Sequence, residues 1–312
     1  MLLASALAVT RPLLAEERAL HAPAGASVNL LDATESKCPF DCDNTGSCRL
    51  PPRALPRPNC AAWTVLNKDN IYLKMSKSGS TTVWQALAAR HYGLKPLFGG
   101  ANLELPTADE SVREQTLGKP RCAFTFVREP VERFISGYRE LIARITEGAP
   151  GSNLTSDRSW PFWGVANEPE RFRQFVDDMT EHEMAMTCVG HISHVASQVD
   201  YIGRFAPLAP RALSNVSFFW APIDQDNEGS VCGGKCLRKK MFAAMRTRCG
   251  EDFSAVLDGN SNPASDKVTV THGVPVDEAD ARRFLIDEAT GAKLDRLLHL
   301  DQHCFGYASG SA

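Results

Sequence analysis

The sequence predicts an α/β fold in which helices flank a central parallel sheet, and three observations lead to this prediction. The chain has 312 residues, 43% of them hydrophobic and 23% charged, so it can bury a large core. Two segments in succession combine a short apolar run, a break and an amphipathic stretch, the pattern of a strand followed by a helix. Strands that alternate with helices in this way are typical of parallel sheets.

The first 68 residues are expected to precede this domain. Residues 1–20 begin with a short apolar stretch that Arg11 interrupts. Three interpretations stay open for it: a signal peptide, the remainder of a longer anchor, or an ordinary terminus. Residues 21–68 are rich in cysteine and proline and predict a loop-rich stem held by disulfides. The α/β domain is expected over 69–308.

The ten cysteines indicate an oxidising compartment. No C-x2-C pair occurs, and the close pair Cys232 and Cys236 has no histidine nearby, so the pattern favours disulfides over zinc. We expect the stem cysteines to pair with one another, separately from those of the domain: Cys38, Cys42, Cys48 and Cys60. The sequons at Asn153 and Asn215 also fit a glycoprotein of the secretory pathway.

The first strand–helix unit contains a candidate anion-binding loop. IYLKM (71–75) predicts a strand, and TTVWQALAARHYG (81–93) predicts a helix. Between them, KSGSTT (77–82) brings backbone N–H groups, hydroxyls and the Lys77 ammonium to the amino end of a helix, where an anion is favoured. Gly79 allows the backbone to approach a ligand closely. A Walker A loop differs, because its lysine follows its second glycine.

The second unit supplies another cation at the same edge of the predicted sheet. CAFTFVR (122–128) predicts a buried strand, and VERFISGYRELIARI (131–145) predicts a helix with Pro130 at its first position. Arg128 ends the strand, and Ser136 lies on the helix. Because carboxyl ends of parallel strands meet at one edge, the two units are expected to bind a ligand with two phosphate-like groups. The alternative for the arginine is a structural salt bridge with a nearby carboxylate: Glu129, Glu132 or Asp200.

The rest of the chain predicts further helices and strands. NEPERFRQFVDDM (167–179) predicts a helix with Asn167 as its cap and four residues as its buried stripe: Phe172, Phe175, Val176 and Met179. The remaining predictions are two strands, at 199–205 and 214–222, and two helices, a basic one at 237–246 and one at 277–301 that breaks near Gly291.

Both units resemble motifs of sulfotransferases that use 3'-phosphoadenosine 5'-phosphosulfate (PAPS). IYLKMSKSGSTTVWQAL is similar to their 5'-phosphosulfate loop, and FTFVREPVERFISGYRE is similar to their 3'-phosphate motif. The second motif and the ending LLHLDQHCFGY (297–307) most resemble Golgi carbohydrate sulfotransferases of the heparan 2-O and chondroitin 4-O type. The resemblance covers about 70–307. It implies a P-loop-like three-layer fold, a Golgi location and transfer of a sulfuryl group from PAPS to a carbohydrate hydroxyl.

The resemblance also implies roles for individual residues. The 5'-phosphosulfate would be bound by Lys77, Ser78, Gly79, Ser80, Thr81 and Thr82, and the 3'-phosphate by Arg128 and Ser136. Lys77 would also stabilise the charge that grows on the bridging oxygen as the product PAP leaves, and no metal is expected. His194 is the candidate base, with these alternatives: His191, His182, Glu104 and His91. Ala206 stands where relatives often carry a glutamate, which leaves the acceptor side open.

Two other functions stay open. A secreted nucleotide- or glycan-binding protein with a decayed sulfotransferase fold would bind without turnover, and an ATP-dependent phosphotransferase would require magnesium.

The charge pattern bears on the partners. A net charge of -3 argues against wide contact with nucleic acid or an anionic membrane, so a membrane is expected only through a missing or cleaved N-terminal segment. The basic cluster over 238–248 predicts a solvated helix face, and a neutral or lightly charged glycan fits as well as a heparan-like polymer. The sequence predicts neither the acceptor nor the oligomeric state.

Overall fold

The structure is a computed structural model that describes part of the chain. The described residues are 38, 41–42, 47–49, 62–65, 70–75, 77–78, 122–147, 162, 165, 167–181, 194–200, 202, 218–222, 243, 246–250 and 278–307. All of them lie in one compact unit, Lys37–Ala312.

A six-stranded sheet organises the described residues. Its strands are β1 (Asp41–Cys42), β2 (Ser47–Arg49), β3 (Ala62–Val65), β4 (Asn70–Lys74), β5 (Cys122–Val127) and β6 (Phe218–Pro222). Their order across the sheet is β1-β2-β6-β5-β4-β3. β4, β5 and β6 run parallel, whereas β3 pairs antiparallel with β4, and β2 with both β1 and β6. This parallel centre is compatible with the predicted α/β class.

β5 is buried along its whole length. An apolar run between two parallel neighbours is expected to be buried on both faces. Its polar member, Thr125, donates a hydrogen bond to the Leu73 carbonyl of β4 at 2.9 Å. The strands predicted at 71–75, 122–128 and 214–222 are thus present at 70–74, 122–127 and 218–222.

Three short strands lie in the segment that the sequence predicts to be a loop-rich stem. β1, β2 and β3 fall within 21–68 and pair with the rest of the sheet. β2 and β3 give β6 and β4 a hydrogen-bonded neighbour on the side away from β5. The boundary at residue 68 itself stays a prediction.

The disulfides differ from the predicted pairing. Cys38 is bonded to Cys304, so the expectation that the stem cysteines pair only among themselves is wrong for Cys38. Cys122 is bonded to Cys249. The Cys38–Cys304 bond joins positions 266 residues apart, a pairing that local sequence pattern does not reveal.

The helices with described ends are α1 (Pro130–Glu147), α2 (Glu168–Glu181), the single turn α3 (Gln198–Asp200), α4 (Glu278–Leu285) and α5 (Glu288–Phe305). Four of them, α1, α2, α4 and α5, share a hydrophobic core whose members include Phe134, Tyr138, Phe172, Phe175, Leu285 and Leu298. Among the described helices, none has the length and apolar character that crossing a membrane requires.

The first turns of α1 and α2 follow the predicted signals. α1 begins at Pro130, and the Glu129 carboxylate accepts a hydrogen bond from the Glu132 N–H at 2.6 Å. The Asn167 side chain accepts one from the Glu170 N–H at 3.2 Å before α2. The predicted stripe of α2 is fully buried, which confirms it: Phe172, Phe175, Val176 and Met179.

The helical segment near the C-terminus breaks earlier than predicted. Asp287 separates α4 from α5, and its carboxylate accepts a hydrogen bond from the Thr290 N–H at 2.8 Å. Gly291 lies inside α5 and is buried, so the break predicted there is wrong. The Asp287 cap satisfies an amide at the start of a new helix, and this signal outweighs the helix-weakening effect of one glycine.

Candidate functional site

The loop after β4 and the residue after β5 lie at the same edge of the sheet. The parallel register pairs Tyr72 of β4 with Phe124 of β5, so both strands point the same way. Lys77 and Ser78 form a turn just after β4, and Arg128 directly follows β5. The structure therefore brings together the two segments that the sequence predicts to bind anions.

Gln198, to which the sequence assigns no role in the site, connects these two segments. Its Oε1 accepts hydrogen bonds from the Ser78 hydroxyl at 3.2 Å and from the Arg128 N–H at 2.9 Å. Its Nε2 donates to the Arg128 carbonyl at 2.8 Å. Gln198 and Ser78 are both fully buried. The sequence gives no specific signal for this role beyond an amide next to Ser197, although an amide that becomes buried must find hydrogen-bond partners.

The short helix that carries Gln198 is fixed by Asp301 of α5. The Asp301 carboxylate accepts hydrogen bonds from the backbone N–H groups of Gln198 and Val199, both at 2.8 Å, and from the Ser197 hydroxyl at 2.6 Å. Burial raises the pKa of Asp301, an effect that these hydrogen bonds and then the charge of Arg133 oppose.

The prediction of a strand over 199–205 is therefore wrong for the residues of this segment that the structure describes. Residues 198–200 form the helical turn α3 instead. A carboxylate that accepts two successive N–H groups stabilises the first turn of a helix. This carboxylate, Asp301, lies about a hundred residues further along the chain, so the local periodicity of the segment does not reveal it.

Lys77 has a strained backbone and a carboxylate partner. Among the described residues it is the non-glycine with positive φ, at 63°. Such conformations concentrate at functional sites. Its ammonium lies 3.2 Å from the Glu140 carboxylate of α1, and the two side chains are 22% and 28% exposed. An anionic ligand can therefore reach the ammonium by replacing a carboxylate.

One partly exposed face of α1, here called the α1 stripe, lies along the site. It consists of Glu132, Ser136, Arg139 and Glu140, all partly exposed. Ser136 lies one helical turn after Glu132, and the neighbours Arg139 and Glu140 follow about one turn later. Arg128 forms a salt bridge with Glu132 at 3.5 Å, so the salt bridge considered as its alternative role is present. Burial, and then the positive charge of Arg128, lower the pKa of Arg139, which places two guanidinium groups within electrostatic range.

The two carboxylates that pair with Lys77 and Arg128 lie at opposite ends of the α1 stripe. Glu132 contacts Arg128, and Glu140 contacts Lys77. Eight residues of helix separate these carboxylates, which corresponds to roughly 12 Å along the helix axis. The site therefore offers two cationic positions at opposite ends of one stripe, with Ser136 between the two carboxylates.

His194 lies against the same helix. It is partly buried, and a Cβ atom added to Gly137 would come within 2.6 Å of the His194 carbonyl oxygen. Gly137 directly follows Ser136, so the glycine lets the backbone of His194 pack against α1 beside the α1 stripe. The structure thus packs the backbone of the candidate base against α1 at the residue that follows Ser136.

Several predicted residues lie outside the described residues. They comprise the rest of the loop, Gly79, Ser80, Thr81 and Thr82, and the alternative bases, His91, Glu104, His182 and His191. Within the part of the chain that is described, no group of three or more His, Cys, Asp or Glu side chains could hold a metal ion.

The described part of the basic cluster lies away from this edge of the sheet. Arg246 and Arg248 are exposed, and the neighbouring Cys249 is bonded to Cys122, the first residue of β5. Arg128 follows the last residue of the same strand. A six-residue strand spans roughly 17 Å, so the disulfide anchors this cluster at the opposite end of β5.

Comparison with known proteins supports one family. A family model described as "Sulfotransferase family" matches residues 67–218. This range contains β4, β5, α1 and α2, and with them both candidate anion-binding segments and Gln198. The match supports a sulfotransferase family and, in general, an enzyme of sulfuryl transfer. No curated protein and no solved structure matches the chain.

Proposed function

We propose that this protein transfers a sulfuryl group from PAPS to a hydroxyl group of a carbohydrate and releases PAP. One observation carries the proposal: the Ser78 hydroxyl and the Arg128 N–H converge on one oxygen of Gln198. This contact places the two candidate anion-binding segments side by side within residues 67–218, which match the sulfotransferase family. The proposed architecture is the P-loop-like three-layer form of the α/β class, with a 69–308 domain.

The nucleotide is proposed to bind along the α1 stripe. Lys77 and the loop residues from Gly79 to Thr82 bind the 5'-phosphosulfate, and Arg128 with Ser136 binds the 3'-phosphate. The roughly 12 Å between the two carboxylate partners on α1 supports two separated anion positions rather than one. Glu140 and Glu132 pair with the two cations, and their partial exposure lets the phosphate groups replace them.

The reaction is proposed to be an in-line displacement at sulfur. The acceptor oxygen forms a bond to sulfur while the bond between sulfur and the phosphate oxygen breaks, and PAP carries away the bonding electron pair. Lys77 stabilises the charge that develops on this bridging oxygen. His194 takes the proton of the acceptor hydroxyl. The His194 backbone packs against α1 at Gly137, about one helical turn before Glu140, the partner of Lys77, which supports this assignment.

Histidine 194 can be tested separately from nucleotide binding. If His194 is the base, His194→Ala should reduce kcat by about 10²–10⁴-fold, the usual contribution of general base catalysis, while PAP still binds. A variant that keeps near-normal kcat would move the role to another residue, with Glu104 the next to substitute.

The acceptor is proposed to be a neutral or lightly charged glycan in the Golgi lumen. The position of Arg246 and Arg248 at the opposite end of β5 supports this, because a polyanionic polymer needs cations beside the reacting sulfur. The bonds Cys38–Cys304 and Cys122–Cys249 support an oxidising secretory compartment.

The deciding experiment is sulfate transfer from radiolabelled PAPS to a panel of desulfated polysaccharides, with and without a chelator. We expect transfer to at least one glycan, unchanged by the chelator and abolished in Lys77→Ala. PAP binding without transfer to any acceptor would favour a glycan- or nucleotide-binding protein with a decayed fold. Magnesium-dependent transfer from ATP would favour a phosphotransferase, and absence of PAP binding would overturn the proposal.

A further inference from the structure

The side-chain amide of Gln198 has one allowed orientation at the edge of the sheet. The Arg128 N–H is always a donor and the Arg128 carbonyl always an acceptor, and they face Oε1 at 2.9 Å and Nε2 at 2.8 Å. A reversed amide would set donor against donor and acceptor against acceptor. Oε1 is therefore the atom that faces Ser78, and the Ser78 hydroxyl must be the donor.

This orientation commits the Ser78 hydroxyl to the protein. A hydroxyl group has one hydrogen, and that of Ser78 is directed at Gln198 over 3.2 Å. The Ser78 N–H faces the Met75 carbonyl at 3.4 Å, and the side chain is fully buried. Ser78 thus shapes the loop around Lys77, which refines the direct ligand contact that the resemblance implies for it.

Gln198 is in turn held by two helices. Asp301 of α5 accepts the N–H groups that begin α3, and Arg133 of α1 donates to the Ala196 carbonyl at 2.6 Å. Asp301, Arg133 and Gln198 are all buried. A buried carboxylate that accepts several hydrogen bonds has little freedom to move. Asp301 therefore fixes the backbone at Gln198 and with it the position of the Gln198 side chain.

We propose that Gln198 is a positioning residue for the PAPS site. Its amide holds the loop after β4 against the end of β5, so that Lys77 and Arg128 bind the same nucleotide, and Asp301 fixes Gln198. This inference rests on the proposed function and adds two residues on which nucleotide affinity depends. Gln198 itself does not contact PAPS, since it is fully buried and bonded to both segments.

The first test removes the amide but keeps the side-chain size. Gln198→Leu should weaken PAP binding by about tenfold or more, because Ser78 and Arg128 lose a shared buried partner. Thr125→Val is the matched control: it also removes a buried hydrogen bond, to the Leu73 carbonyl, but in the middle of β5. Calorimetry with PAP should show near wild-type affinity for this control. Equal losses in both variants would mean that general destabilisation, and not positioning, explains the effect.

The second test replaces the amide of Gln198 with a carboxyl group, which can form the same hydrogen bonds only when it is protonated. A protonated carboxyl accepts and donates as an amide does, whereas a carboxylate repels the Arg128 carbonyl. Gln198→Glu should therefore bind PAP nearly as well as wild type at about pH 5.5 and at least tenfold more weakly at about pH 8, each relative to wild type at the same pH. The nearly isosteric variant also decides the question if Gln198→Leu does not fold, which circular dichroism would reveal.

The outcomes separate this inference from the function on which it rests. If wild type does not bind PAP, the proposed function fails and the positioning role fails with it. If wild type binds PAP but Gln198→Leu and Gln198→Glu both bind it as well as wild type at both pH values, only the positioning role is overturned. The positioning role is supported if the PAP affinity of Gln198→Glu relative to wild type falls between about pH 5.5 and about pH 8 while that of Gln198→Leu stays constant.

Discussion

At the scale of single residues, each predicted cation of the site has a carboxylate partner on α1. Lys77 lies 3.2 Å from Glu140, and Arg128 lies 3.5 Å from Glu132. Ion pairs that solvent can reach contribute about 0–1 kcal/mol, and all four side chains here are partly exposed. A charged hydrogen bond to a phosphate contributes about 1.5–3 kcal/mol. A phosphate group should therefore displace either carboxylate.

Lys77 and Arg128 should fail in different ways when truncated. Lys77→Ala should lower kcat far more than it lowers PAP affinity, because the ammonium matters most when charge develops on the leaving oxygen. Arg128→Ala should weaken PAP binding by about 1.5–3 kcal/mol, since it removes a charged hydrogen bond. Calorimetry on both variants measures the PAP affinity, and steady-state kinetics measures kcat. Wild-type PAP affinity in Arg128→Ala would remove the arginine from the site.

Neutralising the partner of Lys77 should strengthen anion binding. Glu140→Gln keeps the shape of the side chain and removes a charge that competes with the ligand, so PAP affinity should rise by up to about fivefold, equivalent to about 1 kcal/mol. Glu170→Gln, which alters an exposed pair with Arg173 in α2, is the control and should leave the affinity unchanged. Titration calorimetry at low salt gives the comparison; weaker binding in Glu140→Gln would mean that the carboxylate holds Lys77 in its productive position.

At the scale of secondary structure elements, the contact between α1 and the segment that begins at His194 positions the candidate base. The helix approaches so closely at Gly137 that a Cβ there would lie 2.6 Å from the His194 carbonyl oxygen and 2.9 Å from its carbon. Backbone atoms cannot move aside as a flexible side chain can. The glycine is therefore required by packing and not by its φ angle.

Gly137→Ala should displace His194 from α1. Overpacking of this kind costs about 1–3 kcal/mol, so the variant should be less stable and should lose more in kcat than in PAP affinity. Gly250→Ala is the contrasting variant, because its Cβ would meet nothing within 4 Å although φ is +69°. That variant should keep wild-type kcat. Urea unfolding and steady-state kinetics compare the two variants. An unchanged kcat in Gly137→Ala would mean that His194 is not the catalytic base.

The elements that the sequence predicts correctly are those whose signals are local. β5 is a run that is apolar except for Thr125, and α2 has a cap at Asn167 followed by a stripe of helical spacing. The errors lie where a distant residue decides the structure. The turn at Gln198 is helical because Asp301 accepts its N–H groups. No periodicity within the segment carries that information.

The same limit applies to the candidate site. The sequence predicts that Lys77 and Arg128 lie at one edge, because parallel strands share a direction. It does not identify the Gln198 amide that joins the two segments, because a glutamine carries no motif and its partners lie 70 and 120 residues away. Sequence pattern thus gives the groups that face the ligand more readily than the buried groups that hold them.

At the scale of the whole molecule, the Cys38–Cys304 bond joins the segment before β1 to the end of α5. It closes a loop of the chain that contains the whole candidate site. Cys304 lies one turn beyond Asp301, the carboxylate that fixes α3. The disulfide therefore bears on the stability of the fold and on the helix that supports Gln198.

Removing this disulfide should destabilise the fold. Cys38→Ser with Cys304→Ser should lower the free energy of unfolding by about 2–5 kcal/mol, because the unfolded chain gains freedom when a long loop is opened. Urea unfolding of the double variant against wild type measures the loss. The single variants serve as controls, since each should lose about as much as the double variant. No loss in any of them would mean that the bond does not constrain the unfolded chain.

Asp301 lies more than eighty residues beyond the end of the segment that matches the sulfotransferase family, and this has a practical consequence for shortened versions of the protein. A fragment that ends after β6 would keep Lys77, Arg128 and Gln198 but would lack the carboxylate that begins α3. The groups proposed to bind the nucleotide would be complete, but the contacts that hold them in position would be missing. The smallest piece expected to work runs from Cys38 through the end of α5, so screening of truncations should start from that length.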